Sequence, residues 1–103
     1  MMRLERGRFV EPDLEEIADY IAQDNPARAV SFVAAIGVRF QVIAESPLMY
    51  RLRPEIGDTA RLCAHGHYVI LFRIVSDAVR IERVVFGGRD LPNLYSETDI
   101  DKH

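Results

Sequence analysis

The chain has 103 residues, 49% of them hydrophobic and 28% charged, with a formal net charge of -3. That length closes one hydrophobic core and excludes a second, and a domain so small tends to share surplus apolar surface with a partner. The acidic balance argues against broad counterion-driven adhesion to nucleic acid while leaving room for local basic patches, and the lone Cys63 excludes both an internal disulfide and a cysteine-built zinc site. Met1 to Val10 lacks the apolar core of a secretory signal, and no stretch reaches the roughly 18 apolar residues of a membrane span, so the expected setting is the cytoplasm.

Arg3 to Val10 reads as a short first strand. Pro12 suits a first helical turn, where its missing N–H costs nothing, and Asp13, Glu15 and Glu16 sit near the positive end of that helix. Leu14, Ile17, Ala18 and Ile21 then fall on one helical stripe, which predicts a helix ending near Gln23. Asn25-Pro26 is a restart signal, a capping side chain followed by proline at the first helical position. The second helix runs to about Glu45, before Pro47, with two apolar stripes: Val30, Val33, Gly37, Phe40 and Ala44, and Phe32, Ile36 and Ile43. Apolar on two sides, it is expected between the first helix and a sheet, and the short connection makes the pair an antiparallel hairpin.

After the polar stretch from Ser46 to Asp58 the period changes to two. Thr59 to His65, His67 to Val75 and Val79 to Phe86 read as an antiparallel meander with turns at His65-Gly66 and Ser76-Asp77. The middle strand is nearly continuous in apolar residues, which implies cover on both faces, and one helical hairpin covers only one. With Tyr68, Ile70, Phe72 and Ile74 toward the helices, Val69, Leu71 and Val75 point away; this strip is either a partner site or the seat of the chain's own ending, Leu91 to Tyr95. The fold class is therefore α+β, in a single domain over 1–96, with Glu97 to His103 as a polar tail.

Charge is unevenly placed. Lys102 is the one lysine; every other basic residue is arginine, whose planar fork suits interfaces, although a GC-rich genome produces the same bias. Acids dominate up to Asp24 and arginines dominate from Asn25 to Ser96, so an acidic total conceals a basic body.

Three segments in this order carry a family resemblance: DLEEIADYIAQDNPARAVSF from Asp13, YRLRPEIGDTARL from Tyr50, and YVILFRIVSDAVRIERVVFGGRD from Tyr68. Together they span nearly the whole chain, which resembles the ParE/RelE superfamily of toxins from type II toxin-antitoxin modules, the ParE branch above all. The resemblance implies a helical hairpin on a small antiparallel sheet, with no cofactor and no metal. It also implies a ParD-like antitoxin, a heterotetramer or larger assembly, and contact with operator DNA only through that antitoxin. ParE-like members are implied to poison DNA gyrase by binding; RelE-like members are implied to cleave messenger RNA on the ribosome.

A nuclease using the RNA's own 2'-hydroxyl needs a base, an acid and cations at the scissile phosphate. Phe86 stands where many superfamily members carry histidine, and phenylalanine transfers no proton. His65 and His67 read as turn residues, since no third ligand accompanies them, and Tyr95 reads as packing before acid catalysis. The reading is thus gyrase inhibition by binding, without catalytic residues; the alternatives are a ribosome-dependent endoribonuclease and a non-toxic antitoxin-binding relative. The expected antitoxin surface is Leu14, Ile17, Ile21, Val69, Leu71, Arg73 and Val84, and the expected target surface is Arg51, Arg53, Arg61, Arg83, Phe86 and Arg89.

Overall fold

The computed structural model describes residues 1–98; most of the expected polar tail, residues 99–103, lies outside the described residues. In chain order it contains β1 (Arg3–Arg6), α1 (Val10–Ala22), α2 (Pro26–Glu45), a 3-10 turn (Pro47–Met49), β2 (Arg61–His65), β3 (Tyr68–Val75), β4 (Ala78–Phe86) and α3 (Leu91–Thr98). The sheet has the order β1-β4-β3-β2. The expected meander is present, and the first strand, which the sequence alone does not place, lies parallel to β4 with Arg3 opposite Ala78 and Arg6 opposite Ile81.

β1 is shorter than the expected Arg3 to Val10, because Gly7 turns the chain. Its N–H donates to the Ile81 carbonyl at 2.8 Å, and a Cβ there would stand 2.9 Å from both that oxygen and Glu82 Oε1. α1 therefore starts at Val10, and Pro12 falls inside its first turn, where no intrahelical donor is lost. Asn25 caps α2 as its sequence implies, its side chain accepting from the Arg28 N–H at 3.0 Å.

The main core lies between the hairpin and the sheet. Val10, Leu14 and Ile17 of α1 and Ile36, Phe40 and Ile43 of α2 meet Cys63, Ile70, Phe72, Val79, Ile81 and Val84. A bulge opposite Leu71 and Phe72 makes Glu82 an extra residue of β4, so that both Ile81 and Val84, three apart, point into this core. α2 is not fully sandwiched. Its buried residues are Ala29, Ile36, Phe40, Ile43 and Ala44, while Val30 is 75% and Val38 64% exposed, so the stripe expected to begin at Val30 faces outward there. By length and composition alone α2 is apolar enough to cross a membrane, contrary to the expectation that no stretch approaches that limit; its core-facing residues are packed on α1 and the sheet.

The opposite face of the sheet is covered by the chain's own ending. Leu71 packs with Ile56, Ala60 and Tyr95, and Val69 and Val85 pack with Leu94, with Leu62 and Leu91 against both groups. Tyr95 lies on Gly57, where any Cβ would enter its ring, and its hydroxyl shares a 2.7 Å hydrogen bond with Thr59. Toward β1 the same face becomes ionic: Arg73 donates to Glu82 at 2.9 Å, and Arg80 donates to Glu5 at 3.0 Å.

Candidate functional site

Placing the expected antitoxin surface on this fold removes most of it from solvent. Leu14, Ile17 and Val84 belong to the main core, Val69 and Leu71 lie under α3, and Arg73 is buried against Glu82. Two causes act: Leu14, Ile17 and Val84 fill the core between the helical hairpin and the sheet, and the apolar strip of Val69 and Leu71 receives its cover from α3 rather than from another chain. Ile21 reaches an opening, a cavity of about 340 Å³ shared with Tyr20, Asp24, Asn25, Arg28, Phe32, Gly66, His67 and Tyr68.

The expected target residues divide into two groups. Arg51, Arg53 and Arg61 gather at the approach to β2: Arg51 donates to the Leu52 carbonyl, Arg53 pairs with Glu55, and Arg61 donates to the Tyr50 carbonyl. Phe86 and Arg89 lie at and beyond the end of β4, both exposed, with Phe86 edge-on to Tyr68 at 6.2 Å. Arg83 does not join them. It holds Asp13 of α1 through Nε at 2.9 Å and Nη2 at 2.8 Å, Asp13 also accepts the Val84 N–H at 3.0 Å, and the guanidinium stacks 4.7 Å from the Phe9 ring centre. A bidentate pair with side chains only 13% and 7% exposed is a structural clamp between α1 and β4.

A third group was not legible as a site. Phe32 of α2 stands edge-on to His65 at 5.3 Å, with Arg28 5.5 Å from its ring centre. Burial, and then the Arg39 charge, hold His65 below its ordinary histidine value. Burial and the neighbouring Cys63 raise Tyr50, against an opposing pull from Arg39. Arg28, Phe32, His65, Arg39, Tyr50 and Arg61 thus form a continuous run between α2 and β2. Arg39 carries no sequence signal beyond its charge, because nothing in a helical stripe tells which distant strand it will face. Among the described residues no three His, Cys, Asp or Glu side chains are grouped as metal ligands would be.

A family model described as the ParE toxin of the type II toxin-antitoxin system parDE matches residues 9–91, from the start of α1 to the start of α3. The chain belongs to the ParE toxin family. Among solved structures it resembles the chromosomal ParDE toxin-antitoxin system from P. aeruginosa, with a TM-score of 0.73 and 22% identity, over 84% of this chain and 96% of that one. At that identity the likeness establishes the ParE fold. No curated protein matches the sequence. The family match covers the α1–β4 clamp and the whole meander, so the elements that build both arginine groups are ParE elements.

Proposed function

We propose that this ParE toxin acts by binding DNA gyrase, without chemistry of its own, and that a ParD-like antitoxin in the same cytoplasm silences it. One observation carries the choice of binding over catalysis: the groups a nuclease of this fold would recruit are otherwise engaged. Phe86 ends β4 as an exposed aromatic, Arg83 is committed to Asp13, and Tyr95 is buried with its hydroxyl on Thr59. A general base, a general acid and free cations around one open point are what phosphodiester cleavage demands. The target surface is then the exposed end of β4, Phe86 and Arg89, together with Arg51 at the β2 approach.

The antitoxin's seat begins on α2. Val30, Ala34, Val38 and Val42 follow one another at intervals of four along its exposed side, an uncharged ridge in a chain rich in charge. An amphipathic helix laid on such a ridge is a common recognition mode, and ridges spaced by four interlock readily. We assign a heterotetramer or larger complex, in which operator DNA is held by the antitoxin.

Two assays test this reading. Purified gyrase should lose supercoiling activity with the toxin and regain it when the antitoxin is added. Intact supercoiling together with cleavage of ribosome-bound message would reject gyrase in favour of a nuclease, for which Arg39 and Arg61 beside His65 would be the candidate cluster. Val38→Glu should weaken antitoxin binding without unfolding the domain, since Val38 is already 64% exposed; unchanged affinity would reject the α2 ridge.

A further inference from the structure

All three methionines of the chain meet at one place. Met1 and Met2 stand before β1 and Met49 ends the 3-10 turn after α2, yet all of them line an opening of about 620 Å³ at the C-terminal end of α2. Backbone hydrogen bonds hold them there. The Met2 N–H donates to the Ala44 carbonyl at 3.0 Å, the Arg3 N–H to the Asp77 carbonyl at 3.1 Å, and the Met49 N–H to the Ser46 carbonyl at 3.2 Å. Methionine ordinarily serves as a flexible filler of core gaps. Of the three, Met2 packs against the main core, whereas Met1 is 79% and Met49 71% exposed, so packing does not account for their thioethers. The charge at this opening favours a cation. α2 has no basic residue in its last turn, ends in Glu45 and directs the negative end of its dipole there. Glu45 and Ser46 line the opening, and among the described residues no basic side chain does.

We propose that Met1, Met2 and Met49 form a binding site for a soft monovalent cation, Cu(I), with Glu45 and the α2 terminus supplying the negative field. Donor chemistry selects the ion. Neutral thioethers suit Cu(I), whereas zinc takes thiolate, imidazole or carboxylate, and calcium and magnesium take oxygen. A methionine side chain has three rotatable bonds, and exposed side chains change rotamer within nanoseconds, so the three sulfurs can converge on an ion while the backbone stays in place. The bound ion ties the start of β1 to the turn that follows α2, two segments already joined through Met2 and Ala44. Binding involves no electron transfer, because the metal enters as Cu(I) and the thioethers are neutral ligands. The site is independent of the gyrase reading and stands or falls without it.

The test titrates the full chain with Cu(I) under anaerobic conditions, and with Ag(I) as a redox-inert probe of the same softness. Cys63 is the competing soft donor, and it is buried. Carbon-13 labelling of the methionine methyl groups tells the two apart, because each of the three methionines gives its own NMR signal. All three signals should shift together and saturate at equimolar ion, and the thermal midpoint should rise with ion concentration. Zn(II) and Ca(II) should move none of them. Met49→Leu keeps the apolar shape of the opening and removes one sulfur, so it should weaken Ag(I) binding about tenfold while the ion-free thermal midpoint stays unchanged. Methionine signals that do not move, whether no ion binds or the ion goes to Cys63, would overturn the site. So would a shift confined to one methyl, or an affinity that Met49→Leu leaves intact.

Discussion

Asp13→Asn is the sharpest perturbation the structure offers. Asp13 is 6% exposed and accepts three hydrogen bonds, two from the Arg83 guanidinium and one from the Val84 N–H. Asparagine keeps one carbonyl oxygen for the backbone donor but loses the charge and the second acceptor, so the buried Arg83 guanidinium loses its bidentate pair with Asp13. Screening is weak at this site, since the two side chains are 13% and 7% exposed. Breaking one side of a buried pair costs about 3 to 5 kcal/mol, and the retained backbone bond puts this case near the lower end. Against a total stability of about 5 to 15 kcal/mol for a domain, that is a large fraction. With a urea slope of about 1 to 1.5 kcal/mol/M for this size, the midpoint should fall by about 2 to 3 M at unchanged slope. Asp13→Leu combined with Arg83→Met should recover most of that loss, because it removes both charges together. A midpoint shift below about 0.5 M for Asp13→Asn would refute the claim that the pair clamps α1 to β4.

Other outcomes follow from single features. Tyr95→Phe should cost about 1 kcal/mol in urea unfolding through its hydrogen bond to Thr59, whereas Gly57→Ala should cost more by displacing the ring; equal, negligible effects would mean that α3 does not pack as described. Ser76 has a φ of 54° in the β3–β4 turn, so Ser76→Gly should raise the thermal midpoint, with about 0.5 to 1 kcal/mol of relieved strain; a lower midpoint would contradict it. His65 should titrate below 6.5 by NMR, because burial and Arg39 both oppose its charge. The unfolded chain then binds the proton first, so stability is full above pH 6.5 and declines as pH falls toward the lowered folded value; a midpoint above 6.5 would contradict that environment.

How much of this was legible in the sequence depended on whether a feature leaves a periodic trace. The change from helical spacing in α1 and α2 to alternation in β2, β3 and β4, with Asn25-Pro26 between the helices, gave the architecture and even the faces of β3. The double cover of the middle strand was also legible as a need, with its solution left between a partner and the ending from Leu91 to Tyr95; the ending supplies it, and Leu71 is fully buried beneath α3, so a charge there would unfold the domain rather than test a partner site. Ion pairs leave no such trace. Asp13 and Arg83 lie in separate elements far apart in the chain, and nothing local distinguishes Arg83, held in a clamp, from Arg61, which donates to the Tyr50 carbonyl instead. Only the packing of α2 against β2 brings Arg39 to His65 and Tyr50, and so reveals a basic edge inside a chain whose total charge is acidic.

The central claim is that this ParE toxin disables gyrase by binding, and supercoiling of relaxed plasmid by purified gyrase tests it most directly. The account predicts that stoichiometric toxin stops supercoiling, that prior mixing with antitoxin restores it, and that ribosome-bound message stays intact. Normal supercoiling in the presence of excess folded toxin would contradict it.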